Sequence, residues 1–120
     1  MASTGWRERL SASAATLDAL HLQERWVGVP VTQIAQVVER RPARFGGEVR
    51  SQWRSAHGSA PALRVTITDG SGTAVLVFSG RSSIAGIESG RALLVEGVGR
   101  RTGQRLVVRD PAYTLLEPVR

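Results

Sequence analysis

From residue 44 onward, apolar side chains recur at every second position in short runs separated by glycine-rich turns, and no other feature restricts the fold as tightly. Phe45, Gly47 and Val49 alternate with Arg44, Glu48 and Arg50, and Leu63, Val65 and Ile67 alternate with Arg64, Thr66 and Thr68. That period places apolar groups on one face of a strand and polar groups on the other, as antiparallel sheets with one buried face require. A third strand is predicted over Thr73–Ser79, with Ala74, Leu76 and Phe78 on one face, and two more over Ala92–Gly99 and Arg105–Arg109. The connections are a turn-rich loop over 55–61, a tight Asp69-Gly70-Ser71-Gly72 hairpin in which glycine supplies a positive φ, and a loop over 100–104. Gly80 to Gly90 joins strands three and four and holds one helical turn around Ile84 and Ile87.

The first quarter follows another period. Trp6, Leu10, Ala14, Leu17 and Leu20 step at three and four, which gives a helix over 6–24 one apolar face, with Thr4 as its cap. Thr16 and Asp18, which compete for backbone hydrogen bonds, could instead start a second short helix through Gln23. Gly28 and Pro30 stop either arrangement. Between Val27 and Val38 a strand-like alternation competes with a capped turn after Pro30, and the turn is favoured. The division is therefore a helical extension over 1–29 and a barrel domain over 30–120.

Five short strands with an insertion after the third, and Gly46, Gly47 and Gly97 at bending points, predict a mainly β protein built as a five-stranded Greek-key OB-fold barrel. An SH3-like barrel is the main competitor, but it usually lacks a helical connector between strands three and four.

At 120 residues the chain is the size of one domain, and with no cysteine it has neither a disulfide scaffold nor a thiolate metal site. No apolar run approaches the ~20 residues of a membrane span, so a cytoplasmic protein without membrane contact is expected. All 16 basic residues are arginine. Residues 1–39 carry three of them against four acids, whereas residues 40–120 carry thirteen against six, so the net charge of +6 belongs to the barrel half. Codon usage in a GC-rich genome is the favoured account of the absence of lysine; the excess of positive charge points to an anionic partner, nucleic acid ahead of membrane.

The stretch from Leu63 to Leu115 resembles the small OB-fold nucleic-acid-binding proteins common in high-GC Gram-positive bacteria. The resemblance lies in Asp69-Gly70-Ser71-Gly72 followed by Val75-Leu76-Val77-Phe78, in Gly80-Arg81, in Ile84-Ala85-Gly86-Ile87, in Leu93-Leu94-Val95-Glu96-Gly97, and in Pro111-Ala112-Tyr113-Thr114-Leu115. It departs from that pattern at Phe78-Ser79, where relatives tend to carry tryptophan-leucine, and at Asp110, where they carry asparagine. The resemblance implies an OB-fold and a nucleic-acid partner.

OB-folds hold single strands across strands two and three, between the loop joining strands one and two and the loop joining strands four and five. On that layout strand two presents Arg64 and Thr66, and the end of strand one presents Arg50, Trp53, Arg54 and His57. Arg81 follows strand three, and Arg100, Arg101, Arg105 and Arg109 line the opposite side. Guanidinium groups along a groove neutralise phosphates, and an exposed aromatic ring stacks a base. Trp53 shares the inward parity of Phe45 and Val49, so it is core unless a bulge turns it out. Arg100 and Arg101 could equally be a solvated turn. Val75 and Val77, outward by parity, could support bases, but burial against the N-terminal helix or a second copy is favoured.

Nothing in the sequence carries catalysis: His21 and His57 lack metal-ligand spacing, no phosphate-cradling loop is present, and no cofactor is implied. The reading is a non-enzymatic module that binds single-stranded DNA or RNA with little sequence preference. The rival is a protein-interaction or oligomerisation module that uses residues 6–24 and the outward valines, and a small ligand or oligosaccharide on the same face stays possible.

Overall fold

In the computed structural model, residues 2–57 and 60–117 are described, with side chains for 14–55 and 60–117. One continuous helix, α1, covers Ala2–Arg25. It starts earlier than the apolar spacing indicated and does not break at Thr16 or Asp18. Trp6 and Leu10, which define part of its predicted apolar face, have side chains outside the described set. A 3-10 turn, η1, spans Ile34–Gln36, so the turn after Pro30 prevails over the strand.

Six strands follow: β1 Pro42–His57, β2 Ala60–Thr68, β3 Thr73–Ser79, β4 Ala92–Thr102, β5 Arg105–Arg109 and β6 Ala112–Leu115. They run in the order β1-β2-β3-β5-β4-β6, and an additional β1–β4 pairing closes the first five into a barrel. β3 and β5 are parallel neighbours and every other pairing is antiparallel. This is the OB-fold. β6, which follows the bend at Pro111, lies on the half of β4 that β5 leaves free. The predicted loop over 55–61 is mostly strand, because β1 and β2 stay paired out to His57 and Ala60. Between β3 and β4 the predicted turn closes through one bond, Ile87 N–H to the Ile84 carbonyl at 3.2 Å, without continuing into a helix.

The inward parity read from the sequence on the first three strands is core: Phe45, Val49, Leu63, Val65, Ile67, Ala74, Leu76 and Phe78 are all buried, and Leu93, Val95, Leu106 and Val108 of β4 and β5 join them. Ile34 and Val37 from η1 and Ile84 and Ile87 from the connector complete it. Phe78 packs edge-to-face on Tyr113, with ring centroids 5.4 Å apart and planes at 77°. The residue that departs from the family pattern at this point therefore serves packing.

Gly46 and Gly47 are crowded from opposite faces. A Cβ at Gly46 would stand 2.3 Å from the Trp26 ring outside the barrel, and one at Gly47 2.9 Å from Ile67 inside it. Trp26 thus seats the end of the helical extension directly on the β1 backbone.

The Asp69–Gly72 hairpin holds both N-terminal elements. Asp69, only 5% exposed, accepts hydrogen bonds from the Ser71 and Gly72 N–H groups at 2.9 and 3.2 Å and from the Ser71 hydroxyl at 2.6 Å. Its other oxygen accepts the Ile34 N–H at 2.9 Å and so fastens η1. Gly70, at φ +88°, leaves room for α1: a Cβ there would meet the Ala19 carbonyl at 2.2 Å.

Candidate nucleic-acid interface

β1 carries an irregularity that decides its outer face. Val49 pairs with Ile67 but Ser51 pairs with Thr66, so Arg50 is an extra residue and the parity inverts after it. Trp53 consequently leaves the core and is 41% exposed, opposite Arg64.

With that inversion, two rows of side chains cross the outside of the barrel in register. The first is Trp53, Arg64, Val77 and Arg109, on β1, β2, β3 and β5. The second is Ser51, Thr66, Val75, Val107 and Arg100, and it reaches β4. Strands about 4.8 Å apart make each row roughly 14–19 Å long. Val75 and Val77 form the floor and are only 4% and 2% exposed. They are buried within a single chain, so no second copy is needed to cover them. Side-chain hydrogen bonds and close approaches of α1 fall instead on Arg50 and Gly70, and Trp26, just after the helix, sits on Gly46.

Two clefts bound the rows. One, of about 370 Å³, is lined by Gln52, Trp53, Arg54, Leu63, Ser82 and Ser83, beside exposed Arg81. The other, of about 480 Å³, is lined by Val98, Arg100, Thr102, Val107 and Arg109. Among the described residues Arg54, Arg81, Arg100, Arg105 and Arg109 have no acidic partner, the ion pairs being Arg44–Glu96 and Arg50–Asp18. Arg64 is half-buried, with its Nε 3.4 Å from the Ser55 hydroxyl that accepts from it. Exposed Arg105 lies next to Thr73 and Thr102, at the edge of this surface.

Other predicted site residues go elsewhere. The Arg101 guanidinium donates to the carbonyls of Ile34 at 2.6 Å and Val37 at 3.0 Å, and its backbone N–H donates to the Glu39 carboxylate. It clamps η1 to β4 and is not a free cation. Arg50 is paired with Asp18 of α1. His57 ends β1, and its side chain lies outside the described residues.

Sequence reasoning missed the apolar second cleft, although the parity of Val107 on strand five could have found it. It also gave Asp110 no structural role. At φ +46° this residue turns the chain after β5, and its carboxylate accepts the Ser79 N–H at 2.8 Å, tying the ends of β3 and β5 together. Asparagine supplies the same backbone geometry and the same acceptor, so the substitution preserves the joint.

No helix among the described residues is long and apolar enough to cross a membrane. No protein-family model matches the chain, and no curated protein matches it. Solved structures do. A domain of replication protein A from Methanococcus maripaludis superposes with a TM-score of 0.60 at 13% identity, covering 72% of this chain and 96% of that one. The replication factor A related protein from Methanobacterium thermoautotrophicum gives 0.56 at 15% identity, covering 77% and 96%. At such identities the likeness is one of architecture: the chain carries an OB-fold of the form seen in replication protein A-related domains.

Proposed function

We propose that this chain is a non-enzymatic module that binds single-stranded DNA or RNA across the outer face of β1, β2, β3 and β5, with little sequence preference. The row Trp53–Arg64–Val77–Arg109 carries this reading: an exposed indole and two guanidinium groups aligned across four strands, with Val77 buried between them. A ring and a guanidinium plane stack bases of any sequence, and the arginines neutralise phosphates. The excess positive charge of the barrel half and the resemblance to solved replication proteins support it.

The test is fluorescence anisotropy with single-stranded DNA, single-stranded RNA and duplex at several salt concentrations. Affinity for single strands should fall with log K declining by about 0.7 per phosphate contacted for each unit of log salt. Trp53→Ala should cost about 1–3 kcal/mol, the worth of one stacked base. A flat salt response, or Trp53→Ala and Arg109→Ala binding like the wild type, refutes the assignment.

One observation favours a second reading. Leu17 and Leu20 on α1 are 54% and 50% exposed, so the helix could serve a protein partner or a second copy. The outward valines cannot contribute, because they are already buried. Light scattering that shows a stable oligomer, lost on Leu17→Arg, with no oligonucleotide affinity, would establish this reading instead.

A further inference from the structure

A cleft of about 450 Å³ separates α1 from β1, with Asp18, His21, Leu22, Arg25, Glu48 and Arg50 among its lining residues. Here both oxygens of the Asp18 carboxylate accept from Nη2 of Arg50, at 3.2 and 3.1 Å. Arg50 is the bulge residue, next in chain to Ser51 of the second row and three positions before Trp53, so β1 carries it at the edge of the proposed strand-binding face. Beyond Asp18 the helix is fastened: Leu22 and Trp26 are buried, and the Gln23 amide donates to the Gly70 carbonyl at 3.2 Å. Residues 14–18 are exposed. The ion pair therefore lies on the exposed side of the point where the helix is fastened to the barrel. It also stands in water, its side chains 39% and 59% exposed, where such pairs open at little cost.

We propose that Asp18 is an intramolecular stand-in for a phosphate, holding Arg50 when no strand is bound and surrendering it to the backbone of an incoming single strand. α1 then acts as a built-in competitor that lowers affinity for nucleic acid. The physical reason is that a carboxylate and a phosphate accept the same guanidinium donors, and one Nη2 edge cannot satisfy both. This inference rests on the nucleic-acid reading above and adds a regulatory contact to it.

The test uses the full chain and a labelled oligothymidine in anisotropy titrations, comparing wild type, Asp18→Asn, Arg50→Ala and the double variant, with circular dichroism confirming the fold of each. Asp18→Asn should tighten binding about two- to fivefold, the worth of an exposed ion pair. It should also steepen the salt dependence by about 0.7 in log K per unit of log salt, as one more phosphate is engaged. In the Arg50→Ala background the same substitution should change nothing. Equal tightening in both backgrounds would show that only net charge matters and overturns the proposal. Unchanged affinity in Asp18→Asn overturns it while leaving the nucleic-acid reading intact, and no binding by any of the four proteins removes both.

Discussion

Removing Asp69 should undo the joint between the barrel and its N-terminal elements, at a cost the geometry allows to be worked out. Asp69→Ala leaves the buried Ile34 N–H, now bonded at 2.9 Å, without an acceptor in the interior. An unsatisfied buried donor costs about 1–3 kcal/mol. The bonds to the Ser71 N–H, the Ser71 hydroxyl and the Gly72 N–H are lost as well. They lie in a partly wet turn and are worth roughly 0.5–1.5 kcal/mol each, because water replaces the acceptor. The total, about 2.5–7.5 kcal/mol, is a large share of the ~5–15 kcal/mol that holds an ordinary domain together. Asp69→Asn is the finer probe: one oxygen still serves the turn, but the amide then points its own N–H groups at the Ile34 N–H, so the loss is about 1–3 kcal/mol. With a urea m-value of roughly 1.5 kcal/mol/M, the unfolding midpoint should fall by about 1.7–5 M for alanine and about 0.7–2 M for asparagine, at unchanged m. An alanine variant whose midpoint moves by less than ~0.5 M would refute the claim that this carboxylate anchors η1.

Two further substitutions separate structural from functional side chains. Arg101→Ala loses the bonds to the Ile34 and Val37 carbonyls and should lower stability by about 1–3 kcal/mol, while oligonucleotide affinity stays within about twofold. Arg109→Ala should do the reverse, and thermal melts paired with anisotropy will show whether the two arginines divide in this way. Gly46→Ala forces a methyl group to within 2.3 Å of Trp26, and because β1 is held by β4 at that point, the indole must yield. A loss of about 1–3 kcal/mol is expected. It should come with red-shifted Trp26 emission, read in a background with Trp6 and Trp53 changed to Phe; unshifted emission would contradict the seating of the helix.

The sequence alone determined the inward face of strands two and three and of the first half of strand one, the hairpin at Asp69–Gly72 and the OB-fold itself, and it favoured the turn after Pro30. Each rests on local chemistry: a two-residue period, glycine at a positive φ, and a proline that forbids a helix. β6 escaped notice because four residues after a proline carry too little alternation to register, although Tyr113 and Leu115 pack on the core. The candidate site was half legible. Arg64 and Thr66 could be placed on the outer face from parity alone, whereas Arg100, read as part of a loop, and Arg109 take their places in the rows only through the β4 and β5 pairings.

The rest depended on which distant segments meet. Whether Trp53 faced the core or water turned on a single bulge at Arg50, and a bulge exists only in the pairing of two strands, so no period within one strand reveals it. Arg50 and Arg101 look in sequence like any other arginine of the barrel half. Tertiary structure removed both from the free cations, giving one to Asp18, 32 residues away, and the other to carbonyls 64 and 67 residues away. Charge is a property of a residue and can be counted along a chain, but availability of charge is a property of its neighbours, and only folding chooses those.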